Sequence, residues 1–548
     1  MKARTVSARP AVAAVIAVEV IALATLVVFP PGRATWWPAA GVTAAAILAL
    51  LLTVHRRTAV GWSMAALRWL RRRRRGPAPV PAAVDVPHGA ALYGVRIVDG
   101  EAITMVTVSG QAYSPTVLTG SATALTPNLL PLQALSALLD QPGGIRLAGI
   151  DVVSSGVRVR RGIGYPPLYS TLLADRPAAG QRSTRLVVRL DIALSSAGLG
   201  CRATVGDAAA AATERIVNAL LQRGVRANAL TAKDLDAALT DLGAGLALIE
   251  ETPEPVAGVS GSEVDPRSRP PVQPTPTEGW KTVRAYPGYL SSYYFSPEDV
   301  TTNALNQMWA LRSDAVVQTV SLTKDRGPSG GHPQVSALVR LSDPQPPTNP
   351  PTLYLNPLPG DAGPAAVRSA PTAREFDRIP TRPLYAEGLD IPVGSSGVLV
   401  GTTLRGDLLL LALTDPDQST RISVRASMAY TRQLLIRAAA VGERIAIYTD
   451  DPPRWTTLEQ PLIAVVDRRH PPEFVPSIIV SDRAAGPPPA GMASTVISID
   501  DAAPDGAPDI SFTQTSPSTV RITTAAFATD VHIATFKAEQ PFLGQTVD

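Results

Sequence analysis

Cysteine is nearly absent: Cys201 stands alone in 548 residues. This excludes an internal disulfide framework, a Cys-based zinc site and an iron–sulfur centre, and Cys201 itself reads as a small buried apolar residue. Histidine is scarce too. His55, His88, His332, His470 and His532 are spread so that no two lie within ten positions, so no local His-based metal motif can be built. Charged residues make up only 18%, below the roughly 25% of ordinary soluble domains, and mean hydropathy is positive at +0.12. A wholly disordered chain is thereby excluded. Of the 50 basic residues only five are Lys, a bias of composition more than of function. The net charge is +4, and the run Arg71–Arg75 alone exceeds it. A nucleic-acid binder spreads basic residues over a folded face and interleaves aromatics. Here aromatics are 5% and the basic cluster is local, so no nucleic-acid partner is expected.

What is abundant is apolar sequence near the start. Residues 11–29 and 34–54 are each close to 20 residues and largely apolar, enough for a helix to cross a ~30 Å hydrocarbon core. Phe29-Pro30-Pro31-Gly32-Arg33 between them reads as a hairpin tip, with Trp36 and Trp37 at the interface. A signal peptide is the competing reading of the first run, but no small-residue cleavage site follows it. Lys2, Arg4 and Arg9 precede the pair, and Arg56, Arg57, Arg68 and Arg71 to Arg75 follow it. Both flanks are therefore expected on the cytoplasmic side. Glu19 sits mid-run, a costly place for a carboxylate, and marks a contact with membrane partners. Residues 58–70 put Trp62, Ala66 and Trp69 on one stripe ahead of Arg71, Arg72, Arg73, Arg74 and Arg75. That pattern predicts an interfacial helix anchored on anionic lipid headgroups.

Beyond the Pro-rich linker at 76–81 the pattern turns to alternation. Leu92 to Val98 and Ala102 to Val108 predict two strands about an Asp99-Gly100 turn. Helices are expected at 130–139 and from Asp207 to about Arg223, and Thr231 with Asp234 forms a capping box for the next one. The order indicates a mixed α/β region. Residues 252–279, rich in Pro, Ser, Thr and Glu, read as a linker. Val398 to Leu404 and Leu408 to Leu413 predict a hairpin, followed by a helix to Ala440 and a buried strand to Tyr448. After 455 the pieces are strand-like and Pro-interrupted, which predicts an edge sheet or a loosely packed tail. The expected organisation is 1–57 transmembrane hairpin, 58–84 basic interfacial helix and linker, 85–251 first α/β half, 252–280 linker, 281–455 second half and 456–548 tail.

Catalytic motifs are missing: there is no P-loop, no HExxH and no GxSxG. Gly394-Ser395-Ser396-Gly397 precedes a strand and not a helix, so it reads as a turn. Asp415-Pro416-Asp417 follows an apolar strand. An Asp-x-Asp at a strand's end can chelate a divalent ion that bridges a nucleotide diphosphate. The same tripeptide is also an ordinary turn whose carboxylates accept backbone N–H groups. No cofactor is expected.

Several stretches stand in a fixed order: the two close apolar runs, Gly61-Trp62, Trp69 to Arg75, Leu186 to Leu190 leading into 207–223 and its continuation Ala227 to Leu239, Ile391 to Gly401, and Arg437 to Gly442. In that combination the chain resembles EccE, a membrane component of mycobacterial and related actinobacterial type VII (ESX) secretion systems. The resemblance implies a peripheral subunit of a membrane complex with EccB, EccC and EccD, EccC being the motor ATPase, and with the associated mycosin protease. It also implies a soluble domain of glycosyltransferase-like fold, used as architecture and not for catalysis. Together these readings give a fold of two N-terminal transmembrane helices, a cytoplasmic mixed α/β region and a β-rich C-terminal tail. The expected function is a non-catalytic secretion subunit. The alternative is a membrane-tethered nucleotide-sugar transferase using Asp415 and Asp417.

Overall fold

The computed structural model describes residues 6–8, 12–28, 37–50, 52–54, 57–73, 79–158, 168–246, 248, 275–286, 288–324, 331–372, 376, 378–385, 388–466, 472–483, 495–499 and 507–543. The expected hairpin tip at 29–33, Trp36, most of the 252–280 linker, Arg74 and Arg75 lie outside them. Two apolar helices pair at the N-terminal end, α1 (Val12–Val28) and α2 (Trp37–Leu50). The Oγ1 atoms of Thr25 and Thr43 come within 3.5 Å between them.

No helix among the described residues is long and apolar enough to cross a membrane. With 17 and 14 residues at ~1.5 Å per residue, α1 and α2 measure about 25 and 21 Å, short of ~30 Å. The second apolar run stops being helical because Leu52–Val54 leaves to pair antiparallel with Val6–Ala8. That pairing is non-local and cannot be read from either run alone. The expected multi-pass hairpin is thus corrected. A third helix, α3 (Ala59–Arg73), follows.

The rest is built on two large sheets, where a glycosyltransferase-like α/β domain with a strand-rich tail was expected. Sheet I has 14 strands, and every strand pair in it is antiparallel. Its centre runs Pro333–Asp343, Ala315–Lys324, Ile145–Val157, Gln181–Asp191, Glu101–Ser109. Asp99 and Gly100 both take positive φ, 50° and 80°, the geometry of the tight turn their dipeptide predicts.

Alternation along Glu101–Ser109 feeds two cores. Ala102, Val106 and Val108 face α4 (Val205–Leu221), and Ile103 and Met105 face α5 (Ala232–Gly243). On α5, Leu235, Leu239 and Leu242 are buried one turn apart, each side chain contributing roughly 1.5–3 kcal/mol. Thr204 and Thr231 cap the two helices by accepting from Asp207 N and Asp234 N.

Sheet II has 12 strands. Six run parallel in the order Ile463–Val466, Ile445–Thr449, Ile478–Asp482, Thr495–Ile499, Thr420–Arg425, Ile510–Ser516. The remainder is antiparallel and ends on Val398–Thr402, Leu408–Leu411 and the hairpin Pro115–Thr119/Thr123–Leu125. The strands beyond 456 are therefore no loose tail. Ile478, Val480, Ile497, Phe512, Val520 and Ile522 are fully buried in one core with α6 (Met428–Ala440).

Candidate functional site

A cleft of about 850 Å³ opens between the two sheets. Sheet I contributes Ser155, Ser183, Arg185 and Ser342, and sheet II contributes Thr414, Asp415, Asp417 and Glu443. The Asp-Pro-Asp tripeptide sits on its rim, and the structure gives both carboxylates a cation. Arg226 Nη1 and Nη2 donate to Asp415 Oδ1 and Oδ2 at 3.0 and 2.8 Å, and Nη1 lies 3.3 Å from Asp417 Oδ2. Arg226 Nε is held by Gly110 O at 2.8 Å. Asp417 N donates to Asp415 Oδ1 at 2.9 Å, the expected Asx turn.

Burial pulls the Arg226 guanidinium down, but the hydrogen bonds and charge of Asp415, then the charge of Asp417, outweigh it and leave it raised. A carboxylate engaged bidentately by arginine turns both of its oxygens to that partner. No group of three or more His, Cys, Asp or Glu able to hold a metal exists among the described residues. What the tripeptide does here is join sheet II to the strand Arg226–Ala229 of sheet I. Sequence reasoning missed Arg226, since nothing in a short strand of alternating small residues announces an ion-pair partner 189 positions away.

The turn 394–397 is a second strap between the sheets. Gly394 and Gly397 take φ of +75° and +85°. Ser396 Oγ accepts from Ala179 N at 3.2 Å, Ser395 donates to Gly180 O, and Arg182 Nε donates to Gly394 O at 2.7 Å. Burial pulls Arg182 down to about 10.

A different cluster gathers around α3. Trp62 and Trp69 both turn inward and pack on Trp280, with ring centroids 6.0 and 5.4 Å away. Arg57 lies over the Trp62 ring at 5.0 Å, donates to Pro359 O at 2.8 Å and pairs with buried Asp361. Arg72 donates to Gly360 O at 2.7 Å and meets Glu278 at 3.3 Å and Asp361 at 3.7 Å; Arg378 meets Asp361 at 3.3 Å. Burial, then the charges of Arg378, Arg68 and Arg72, pull the Arg57 guanidinium down to about 10. Burial, then Arg68, lowers Arg378 as well. Trp280, Asp361, Glu278 and Arg378 were not picked out from sequence, and their only local signal is a lone Trp at the end of a Pro-rich stretch.

The outer face of α3 exposes Val60, Met64, Leu67 and Leu70. Arg71 and Arg73 are exposed, with Arg73 over the Trp69 ring at 5.3 Å. Glu19 is exposed on α1. Cys201 is exposed and not buried as expected, because it falls in the short connection before α4.

Comparison with known proteins gives these features a context. A family model described as "Putative type VII ESX secretion system translocon, EccE" matches residues 178–295. The stretch runs from Gln181–Asp191 through α4 and α5 to Gly288–Phe295. The chain is 29% identical over 447 residues to ESX-2 secretion system protein EccE2 of Mycobacterium tuberculosis (strain CDC 1551 / Oshkosh), covering 81% of this chain and 76% of that protein. It is 28% identical over 416 residues to ESX-5 secretion system protein EccE5 of Mycobacterium tuberculosis (strain ATCC 25618 / H37Rv), covering 70% and 94%. To ESX-1 secretion system protein EccE1 of strain CDC 1551 / Oshkosh it is 23% identical over 423 residues, covering 75% and 77%. The class these matches define is that of type VII (ESX) secretion system components. Over most of its length the chain is similar to EccE proteins of ESX secretion systems.

Proposed function

We propose that this chain is a non-catalytic structural subunit of an ESX type VII secretion complex. The observation that carries the reading is a likeness to ESX secretion proteins extending over 81% of the chain. The cleft supports it, since its rim aspartates are spent on Arg226 and serve the joint between sheets. No observation favours a transferase. Energy for export comes from another chain, and the partners are EccB, EccC, EccD and the mycosin protease.

The subunit associates with the bacterial plasma membrane on its cytoplasmic face. Among the described residues, 14 of the 27 exposed large apolar side chains lie on α1, α2 and α3. That concentration is far above the scattered exposure normal on a soluble surface. Arg71 and Arg73 add the attraction to anionic headgroups, and Glu19 faces a neighbouring membrane protein. Mild-detergent purification of the tagged full chain, followed by native gel and mass spectrometry, tests the reading. Recovery in a large particle with EccC and EccD is expected; recovery only as a lone monomer or dimer overturns it.

A further inference from the structure

The geometry points to an anion site, for the phosphate of an anionic lipid, formed by Arg57, Arg68, Arg72 and Arg378 beneath α3. The inference rests on the membrane-associated reading above and adds a ligand to it. Its first support is a charge imbalance. Three guanidiniums, Arg57, Arg72 and Arg378, meet two carboxylates, Asp361 and Glu278, and the charge of exposed Arg68 also bears on Arg57 and Arg378, so the cluster holds more positive charge than it neutralises. Arg68 and Arg72 stand four apart on one helix, where like charges repel. Such an excess in a partly dehydrated place favours a counter-anion.

The second support is independent. The indole Nε1 of Trp69 and Nε of Arg72 are both buried with no hydrogen-bond partner among the described residues. Orphaned buried donors are costly and call for an acceptor. Phosphate oxygens supply acceptors and negative charge at once.

The third support identifies the source of the phosphate. At ~100° per residue on a helix wheel, Ala65, Trp62, Trp69 and Arg72 share the inward face of α3, and Val60, Met64 and Leu67 share the outward one. Arg68 falls on the flank between them. A headgroup phosphate held at that flank leaves its acyl chains along the exposed apolar stripe, which a free phosphate could not use.

The test compares two exposed arginines one turn apart, Arg68→Glu and Arg71→Glu, in the purified full chain. Flotation with phosphatidylcholine vesicles, with and without phosphatidylglycerol, reads lipid binding. A diffuse basic surface makes the two variants equally weak, since each charge counts alike. The site predicts that R68E loses about tenfold more phosphatidylglycerol-dependent binding than R71E, with binding to neutral vesicles equal. Inorganic phosphate should raise the melting temperature of the wild-type chain and not of R68E. Equal losses in the two variants overturn the site. Protection by phosphate with unchanged vesicle binding in R68E overturns the lipid assignment and leaves a soluble phosphate ligand. If R68E still co-purifies with secretion partners in either case, the subunit reading survives the failure of the site.

Discussion

Arg226 and Asp415 face each other across the boundary of the two sheets, joined by two hydrogen bonds of 3.0 and 2.8 Å. Asp415 is nearly fully buried, whereas Asp417 and Arg226 are each about one-third exposed. The two aspartates should therefore differ in cost. Asp415→Ala leaves a half-buried guanidinium without its main partner and should destabilise by about 1–3 kcal/mol. Asp417→Ala should cost less than about 1 kcal/mol. Urea unfolding of the single variants measures both, and the Asp415→Ala/Arg226→Ala double variant should lose less than the sum. Under the structural reading, complexes assembled from these variants still export.

A deeper arginine pair lies inside sheet I. Asp151 receives Arg368 Nη1 and Nη2 at 2.7 and 2.6 Å, with Arg189 Nε at 3.1 Å. Burial pushes the Asp151 carboxyl up, but the charges of Arg189 and Arg368 and the hydrogen bonds of Arg368 and Ser321 outweigh it, leaving about 2 against an ordinary 3.8. Because the folded value is the lower one, its contribution is complete above pH 3.8 and is lost as pH falls through about 2. The amount is about 2 kcal/mol. Asp151→Asn should cost roughly 3–5 kcal/mol and flatten the stability profile over that window. Unfolding midpoints measured from neutral pH down to pH 2 check this.

Trp280 is the platform on which α3 rests. Trp280→Ala should release α3 without melting the sheets. Amide exchange should rise by at least about tenfold across Ala59–Arg73 and stay constant across Gln181–Asp191. Unchanged exchange on α3 would show that Arg57 and Arg72 hold it without the aromatic stack.

Near the C-terminus, Glu539 is fully buried and accepts from Arg437 Nε at 2.6 Å and Nη2 at 3.0 Å, and from Gln433 Nε2 at 2.7 Å. Glu539→Ala strands a buried cation and should cost about 3–5 kcal/mol; Glu539→Gln should recover part of it. Thermal melting of both variants decides.

Local chemistry was legible in the sequence and distant pairing was not. Asp99-Gly100 and the Thr231/Asp234 cap are read within four residues, because turn and cap geometry is set by adjacent backbone and side-chain groups. The apolar runs announced two helices but not their ends, which the partnership of Leu52–Val54 with Val6–Ala8 decides. Thr420–Arg425 went unrecognised as a strand, although it is the first strand of the crossover through α6 and pairs on both sides with strands more than 70 positions later. The metal reading of Asp415 and Asp417 could be weighed against a turn, but only coordinates bring Arg226 to them. For Trp62 and Trp69 the stripe was visible, and what it packs on was 200 positions away or more.

The hairpin Pro115–Thr119/Thr123–Leu125 belongs to sheet II through Leu118, which pairs with Leu408, 290 positions on. At a synthesis rate of about 5–20 residues per second, the ribosome takes roughly 15–60 s to supply that partner. During the wait, Val117 and Leu118 have no sheet to enter, while most of sheet I can already assemble around them. Nascent chains are thus exposed at this hairpin for far longer than the ~10 μs a hairpin needs to form. A holdase that covers residues 115–125 would act in that interval, and slow codons placed after 125 would lengthen it.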